Sequence, residues 1–254
     1  MTRASAGPWF LLAPGRDPAV RLRVFCFPHG GAGPSAFRAW PSLVAPEVEL
    51  VPVQLPGRER RLHEPPVLSI TELRDLLAGP VAEYAGDVPY ALLGHSMGAL
   101  IAYELAHELR GTMNPPLVLA VSGAAAAHLP RRIPDVHHLP DHELRRRLVD
   151  LNGIAAPLLA NEDLLDLLLP VFRADFAACE TYVHARRPPL DLRLLAFGGT
   201  DDPLVTPPEM ERWAELNANH TDVRILSGDH FFLFQHAGPV LSAIKRSAMA
   251  PGHK

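Results

Sequence analysis

Two cysteines, Cys26 and Cys179, are all that this 254-residue chain contains. They cannot build a disulfide framework, which points to a reducing compartment and to a fold held by its own core. Lysine is almost absent too, with Lys245 and Lys254 its only representatives, and the formal net charge is −4. An acidic balance of this kind argues against a nucleic-acid partner. No apolar run reaches the roughly 18–20 residues that a membrane span needs. The stretch Met1–Pro8 is polar and small, with no apolar leader region before a cleavage site. The expectation is a cytoplasmic, non-membrane protein acting as a monomer. Metal-binding spacing is missing as well: His63 and the pair His137-His138 do not fall in an H-E-x-x-H pattern. No phosphate-cradling G-x-x-x-x-G-K loop follows a strand. Neither a metal nor a cofactor is therefore expected.

What is present is an ordinary globular composition, 48% apolar and 20% charged. Its length fits one large α/β domain spanning residues 1–254. Short apolar or β-branched runs predict strands at Arg21–Phe27, Val48–Gln54, Tyr90–Gly94, Leu117–Ser122, Leu192–Phe197 and Val223–Leu226. Helical patterns fall between them, at Ser69–Tyr84, Met97–Arg110, Pro208–Asn217 and His236–Ala248. This alternation signals a mostly parallel sheet covered by helices on both faces. It breaks at about residues 130–189, where Asp141–Leu151, Asn161–Phe172 and Arg173–Tyr182 read as consecutive helices. Leu164, Leu165, Leu167, Leu168 and Leu169 put leucine nearly all round one of them, so more than one of its faces should be covered. Placed before the last two strands, the segment is expected as a helical lid over the C-terminal edge of the sheet, where open α/β sheets bind ligands. Its leucines could line a ligand chamber or pack onto the sheet.

The apolar run Tyr90–Leu93 ends abruptly in Gly94-His95-Ser96-Met97-Gly98. A G-x-S-x-G pentapeptide between a strand and a helix lifts the serine above the sheet on a strained turn and frees the next N–H for an oxyanion. Glycines at both ends remove Cβ atoms that would crowd such a bend. A nucleophilic serine needs a base and an orienting acid, here in chain order Ser, Asp, His. The fifth strand runs into Gly198-Gly199-Thr200-Asp201-Asp202-Pro203, and the sixth into Ser227-Gly228-Asp229-His230. Ser96 as nucleophile and His230 as base follow. Periodicity does not choose between Asp201 and Asp202. His95 is assigned to packing or hydrogen bonding, and Asp229 to the turn. Oxyanion donors are expected from the Met97 N–H and from the loop Phe27-Pro28-His29-Gly30-Gly31-Ala32-Gly33, with Gly30 supplying the second N–H. Cys26 and Cys179 are expected as inert buried thiols.

Four strings together resemble the type II thioesterases, stand-alone editing enzymes of polyketide and nonribosomal peptide synthases in the α/β-hydrolase superfamily. They are Phe27-Pro28-His29-Gly30-Gly31, the turn from Gln54 to Arg61, Gly94-His95-Ser96-Met97-Gly98-Ala99 and Gly228-Asp229-His230-Phe231-Phe232. The string Leu169–Phe176 followed by Glu180-Thr181-Tyr182 is similar to the family's lid. The resemblance covers about residues 25–234. It implies an α/β-hydrolase fold and hydrolysis of acyl groups from the phosphopantetheine thiol of an acyl or peptidyl carrier protein. It also places the acid at Asp201. Gly30 departs from the alanine that the family more often has there, which leaves the backbone donor in place. Arg58, Arg60 and Arg61 either meet the phosphate of phosphopantetheine or, the reading preferred here, pair with carboxylates such as Glu59 and Glu64.

Competing readings use the same residues. A general carboxylesterase or acyl-CoA thioesterase shares the scaffold, and a non-catalytic module could bind a carrier protein without turning it over. Against the second stand an intact serine, acid and histidine. A product-releasing domain from the end of a synthase is disfavoured because no Asp-Ser-Leu carrier motif precedes the fold and the chain opens on its own Met.

Overall fold

Strands β1 (Leu22–Phe27), β2 (Val48–Pro52), β3 (Tyr90–His95), β4 (Val118–Ser122), β5 (Arg193–Gly199) and β6 (Thr221–Leu226) form a single sheet in the computed structural model. The structure describes residues 7–11, 17–150 and 161–250. Strand order is β2-β1-β3-β4-β5-β6, and every neighbouring pair is parallel. Parallel strands with helices on both faces are apolar on both sides. Along β1, Phe25 and Phe27 face one core while Leu22, Val24 and Cys26 face the other.

Helices α1 (Ile70–Ala85) and α2 (Met97–Leu109) cover the first face, burying Leu73, Leu77, Ile101 and Leu105 against Phe25, Leu92 and Leu119. Each fully buried side chain of this size contributes about 1.5–3 kcal/mol. Ser69 starts α1 by accepting a hydrogen bond from the Glu72 N–H, and Gly86, at φ +54°, ends it. Arg23 is buried in β1 because its Nη1 donates to the Tyr84 and Ala85 carbonyls at the end of α1. The second face is covered by the C-terminal helix, Ala237–Met249, through Val240, Leu241 and Ile244, and by Phe37 and Trp40.

The chain crosses from β1 to β2 on one side and then returns to place β3 on the other. The order therefore reverses at β1 and β3, and the crevice beyond their C-terminal ends is the topological switch point. His29–Gly31 follows β1 and Ser96 follows β3, so both border that crevice.

Between β4 and β5 lie α3 (Asp141–Asp150) and α4 (Glu162–Glu180). The expected helices Asn161–Phe172 and Arg173–Tyr182 are one continuous helix, with Asn161 as its cap and Pro170 inside it. Proline lacks an N–H, so the helix forgoes one backbone bond there without ending. Leu165, Leu169 and Phe172 pack with Val136, Leu144 and Leu148 in a separate small core. Leu164 and Leu167 are exposed, so the expectation that leucine is covered on several faces is corrected for the first turns of this helix; a second face is buried only from Val171 on, through Val171, Ala174 and Ala178. Leu151, the expected end of α3, lies outside the described residues. After β5, the expected helix Pro208–Asn217 is a short α5 (Pro207–Glu211) and a 3₁₀ turn, Arg212–Leu216. Among the described residues no helix is long and apolar enough to cross a membrane.

Candidate active site

Ser96 sits at φ +54°, ψ −119°, one of two non-glycine residues with positive φ among those described. Such a backbone costs on the order of 1–3 kcal/mol and is held only where its surroundings enforce it. Here they do. The Ser96 N–H donates to the Ser122 carbonyl across 2.7 Å, and its own carbonyl accepts from the Ala99 N–H. A Cβ on Gly94 would lie 2.0 Å from the Gly98 carbonyl oxygen, and one on Gly98 would lie 2.2 Å from the Phe27 carbonyl oxygen. Both elbow glycines are therefore required by close backbone approach.

His230 is buried on the turn after β6, and its Nδ1 bonds Asp202 Oδ2 at 2.9 Å. The carboxylate accepts, so Nδ1 carries the hydrogen and Nε2 keeps its lone pair. The second Asp202 oxygen accepts the N–H groups of Leu204 and Val205, at 2.8 and 3.2 Å. Asp201, which the family resemblance favours as the acid, is not the carboxylate that meets His230; Asp202 takes that place. Asp201 is exposed, its backbone N–H holds the Gly228 carbonyl, and its carboxylate accepts from the Thr200 hydroxyl instead. A sequence signal for Asp202 exists in hindsight: an aspartate before proline that bonds the N–H two residues on is a turn former.

His95 is fully buried, and its Nδ1 meets the Ser122 hydroxyl at 3.1 Å. Its ring lies 5.1 Å from that of His230 and 5.8 Å from that of His29. Burial and the neighbouring His230 push His95 well below the usual histidine range. The same two causes, with Arg58 adding to them, bring His29 to about 3. Both rings stay neutral, so an imidazolium formed at His230 has no cationic histidine beside it.

Met97 is the first residue of α2, where the backbone N–H has no intrahelical acceptor and the helix dipole favours negative charge. Ser96, Met97, Gly30 and His230 border one cavity of about 220 Å³. Its remaining wall is largely apolar, including Ala125, Leu129, Val136, Phe172 and Phe176. The leucines Leu165 and Leu169 pack within the inserted segment, and the phenylalanines of that helix face the cavity. Behind the wall, Trp213 Nε1 donates to the Ala124 carbonyl, fixing the run Ala124–Ala127.

The family of the Thioesterase domain matches residues 22–248. The chain belongs to that family. This thioesterase is 38% identical over 228 residues to the gramicidin S biosynthesis protein GrsT of Aneurinibacillus migulanus, covering 89% of this chain and 88% of the relative. Among solved structures it is similar to the type II thioesterase BorB from the borrelidin biosynthetic cluster, with TM-score 0.86 and 33% identity over 98% of this chain and all of the other. It is also similar to the RedJ thioesterase of the prodiginine pathway in Streptomyces coelicolor, with TM-score 0.80 and 40% identity over 94% and 100% of the two chains. The sheet is that of the α/β-hydrolase fold, as in these neighbours.

The Arg-rich turn of this thioesterase divides. Arg61 pairs with Glu64 and lies 4.3 Å over the Trp9 ring, as the pairing reading anticipated. Arg60 is exposed. Arg58 is buried and reaches across the chain to Asp175 of α4, through Nη1 at 2.6 Å and Nη2 at 2.9 Å. Sequence reasoning missed this partner, which is 117 residues away. Leaving either charge buried without the other costs about 3–5 kcal/mol. Cys179 borders the cavity with its thiol pushed up to about 12 by burial and the nearby Asp175, and burial raises Cys26 further. Neither is a thiolate at neutral pH. Among the described residues no group of acidic, histidine and cysteine side chains could hold a metal ion.

Proposed function

We propose that this thioesterase removes acyl groups from the phosphopantetheine thiol of acyl or peptidyl carrier proteins, releasing polyketide or nonribosomal peptide synthases blocked by unproductive units. It does so as one domain with residues of about 130–189 as a lid, in the cytoplasm, where its two free cysteines would remain reduced. The observation that carries the chemistry is the buried Asp202–His230 pair, whose histidine borders the same apolar cavity as the strained Ser96. Likeness over nearly the whole chain to proteins of such pathways supports the substrate.

His230 Nε2 takes the Ser96 hydroxyl proton as Oγ attacks the thioester carbonyl. Charge gathers on the carbonyl oxygen, where the Met97 and Gly30 N–H groups meet it; one such donor is worth about 3 kcal/mol of barrier. The C–S bond breaks, and the imidazolium returns its proton to the departing pantetheine sulfur. Water then enters, gives its proton to His230 and attacks the acyl-serine, and collapse frees the carboxylic acid and restores Ser96. Asp202 keeps the imidazole in the tautomer that presents a lone pair to the serine. A thiolate leaves more readily than an alkoxide, so the same site favours thioesters.

The test compares one carrier protein loaded with acetyl, propionyl, longer acyl and aminoacyl groups against oxygen esters of the same acids at equal concentration. Faster turnover of carrier thioesters is expected. Equal or faster turnover of oxygen esters would assign a general esterase.

A further inference from the structure

We infer that Asp175 of α4 is a positioning residue for the oxyanion hole, so that the hole is complete only when the inserted helix is seated. The inference rests on the reading of Ser96 as an acylated nucleophile with Gly30 as an oxyanion donor. Asp175 Oδ2 accepts the Gly31 N–H at 2.7 Å, from a residue 144 positions away in sequence. The same carboxylate is gripped by Arg58, whose Nη1 also donates to the Ala32 carbonyl at 3.3 Å. Loop and helix are thus fastened twice, once by a donor of Gly31 and once by an acceptor of Ala32. The pair is 3% and 2% exposed, so water is not at hand to replace either partner.

Packing gives the same direction. Gly31 has φ +77°, and a Cβ there would lie 2.1 Å from the Phe172 ring, one turn before Asp175 on α4. A Cβ on Gly30 would lie 3.5 Å from the Asp175 Cβ. The helix therefore rests on the Gly30-Gly31 peptide itself. Holding the Gly31 N–H on Asp175 fixes the plane of the Gly30-Gly31 peptide, and through the shared Gly30 Cα it limits how the adjoining His29-Gly30 peptide, which carries the Gly30 N–H, can turn. The Ala32 N–H closes this turn onto the His29 carbonyl at 3.1 Å, but with glycine at both central positions that bond alone leaves the central peptide free to flip. When α4 lifts, the Gly31 N–H loses its acceptor and Arg58 its counter-charge, and the central peptide of the turn is free to flip. A misplacement of about 1 Å in such a donor costs on the order of 10²-fold in rate. Seating of α4 over an acyl group and assembly of the oxyanion hole are then one event, which withholds hydrolysis from an open, solvent-filled cavity.

The decisive comparison keeps charge balanced and varies only the acceptor: R58M/D175L against R58M/D175N. Rates for a short-chain acyl N-acetylcysteamine thioester are normalised to sites titrated by a fluorophosphonate. R58M/D175L should lose about 10²-fold in kcat with KM little changed, and a boronic acid, which forms a tetrahedral adduct on Ser96, should weaken in parallel. Asparagine keeps an oxygen for the Gly31 N–H, so R58M/D175N should recover most of that loss. Equal rates in the two variants, or a change confined to KM, would overturn the proposal. Hydrogen exchange at the Gly31 amide reads the clamp without catalysis. It should be slow in the wild type and R58M/D175N and fast in R58M/D175L, and fast exchange in the wild type would also overturn it. Failure of the underlying reading shows separately, as wild-type hydrolysis that survives Ser96→Ala.

Discussion

His230 and Asp202 are joined at 2.9 Å, while Asp201, one residue earlier, faces solvent and bonds Thr200. Asp202→Asn should lower kcat by about 10⁴, because an amide can present a donor to Nδ1 and reverse the imidazole tautomer. Asp201→Asn should change kcat by less than about threefold. Steady-state hydrolysis of an acyl thioester by the two variants checks this, and the reverse ranking would return the acid role to Asp201.

The elbow leaves no room for a methyl group at Gly98. Gly98→Ala pushes a Cβ into the Phe27 carbonyl and displaces both the nucleophile turn and the end of β1. A fall in kcat of more than about 10²-fold is expected, with a stability loss of about 1–3 kcal/mol. Urea unfolding and thioester hydrolysis measure the two effects; an unaffected enzyme would contradict so close an approach of Gly98 to the Phe27 carbonyl.

Much of this arrangement was legible in the sequence, for identifiable reasons. The four inner strands are legible because burial on both faces leaves apolar runs such as Val24–Phe27 and Tyr90–Leu93, while the half-buried edge strands β2 and β6 show through β-branched residues such as Val48, Val51, Val223 and Ile225. Ser96 and His230 stand out in the sequence because the elbow and the histidine turn fall at strand ends in a fixed order, and the structure brings both to one cavity. The carboxylate that meets His230 lies one residue beyond the one the resemblance favours, since a turn has no periodicity and only the folded bend decides which carboxylate turns inward. Pro170 invited a break in α4, yet the leucines of that helix and its contacts beyond the sheet hold it through the missing bond. The Arg58–Asp175 pair was invisible because no local pattern joins residues so distant in sequence.

The cavity wall sets which acyl groups fit. Ala125 borders the cavity and is half-buried, so Ala125→Phe should fill space with little cost to the core. Long acyl thioesters should lose about tenfold or more in kcat/KM, and acetyl thioesters much less. A chain-length series on wild type and variant measures this, and a uniform loss across the series would place the acyl group elsewhere.

Stability should fall with acid for a traceable reason. His107, outside the catalytic site, is lowered to about 3 by burial and then by Arg187 and Arg110, with Glu104 opposing and His184 adding slightly. In the unfolded chain it titrates near about 6.5. Between these values the unfolded state binds the extra proton, so stability is full above about pH 6.5 and declines as pH falls toward 3. His107→Gln should make the decline in urea midpoint between pH 7 and 4 shallower than in the wild type. An unchanged slope would mean that His107 is protonated in the folded protein.

The central claim, that Ser96 receives the acyl group of a carrier-bound thioester, is tested most directly by intact-mass measurement after mixing with an acyl-loaded carrier protein. Wild type should return the free carrier thiol and carry a transient acyl mass that maps to Ser96. Ser96→Ala should leave the carrier loaded and remain unmodified. Release of the acyl group by Ser96→Ala at the wild-type rate would contradict the account.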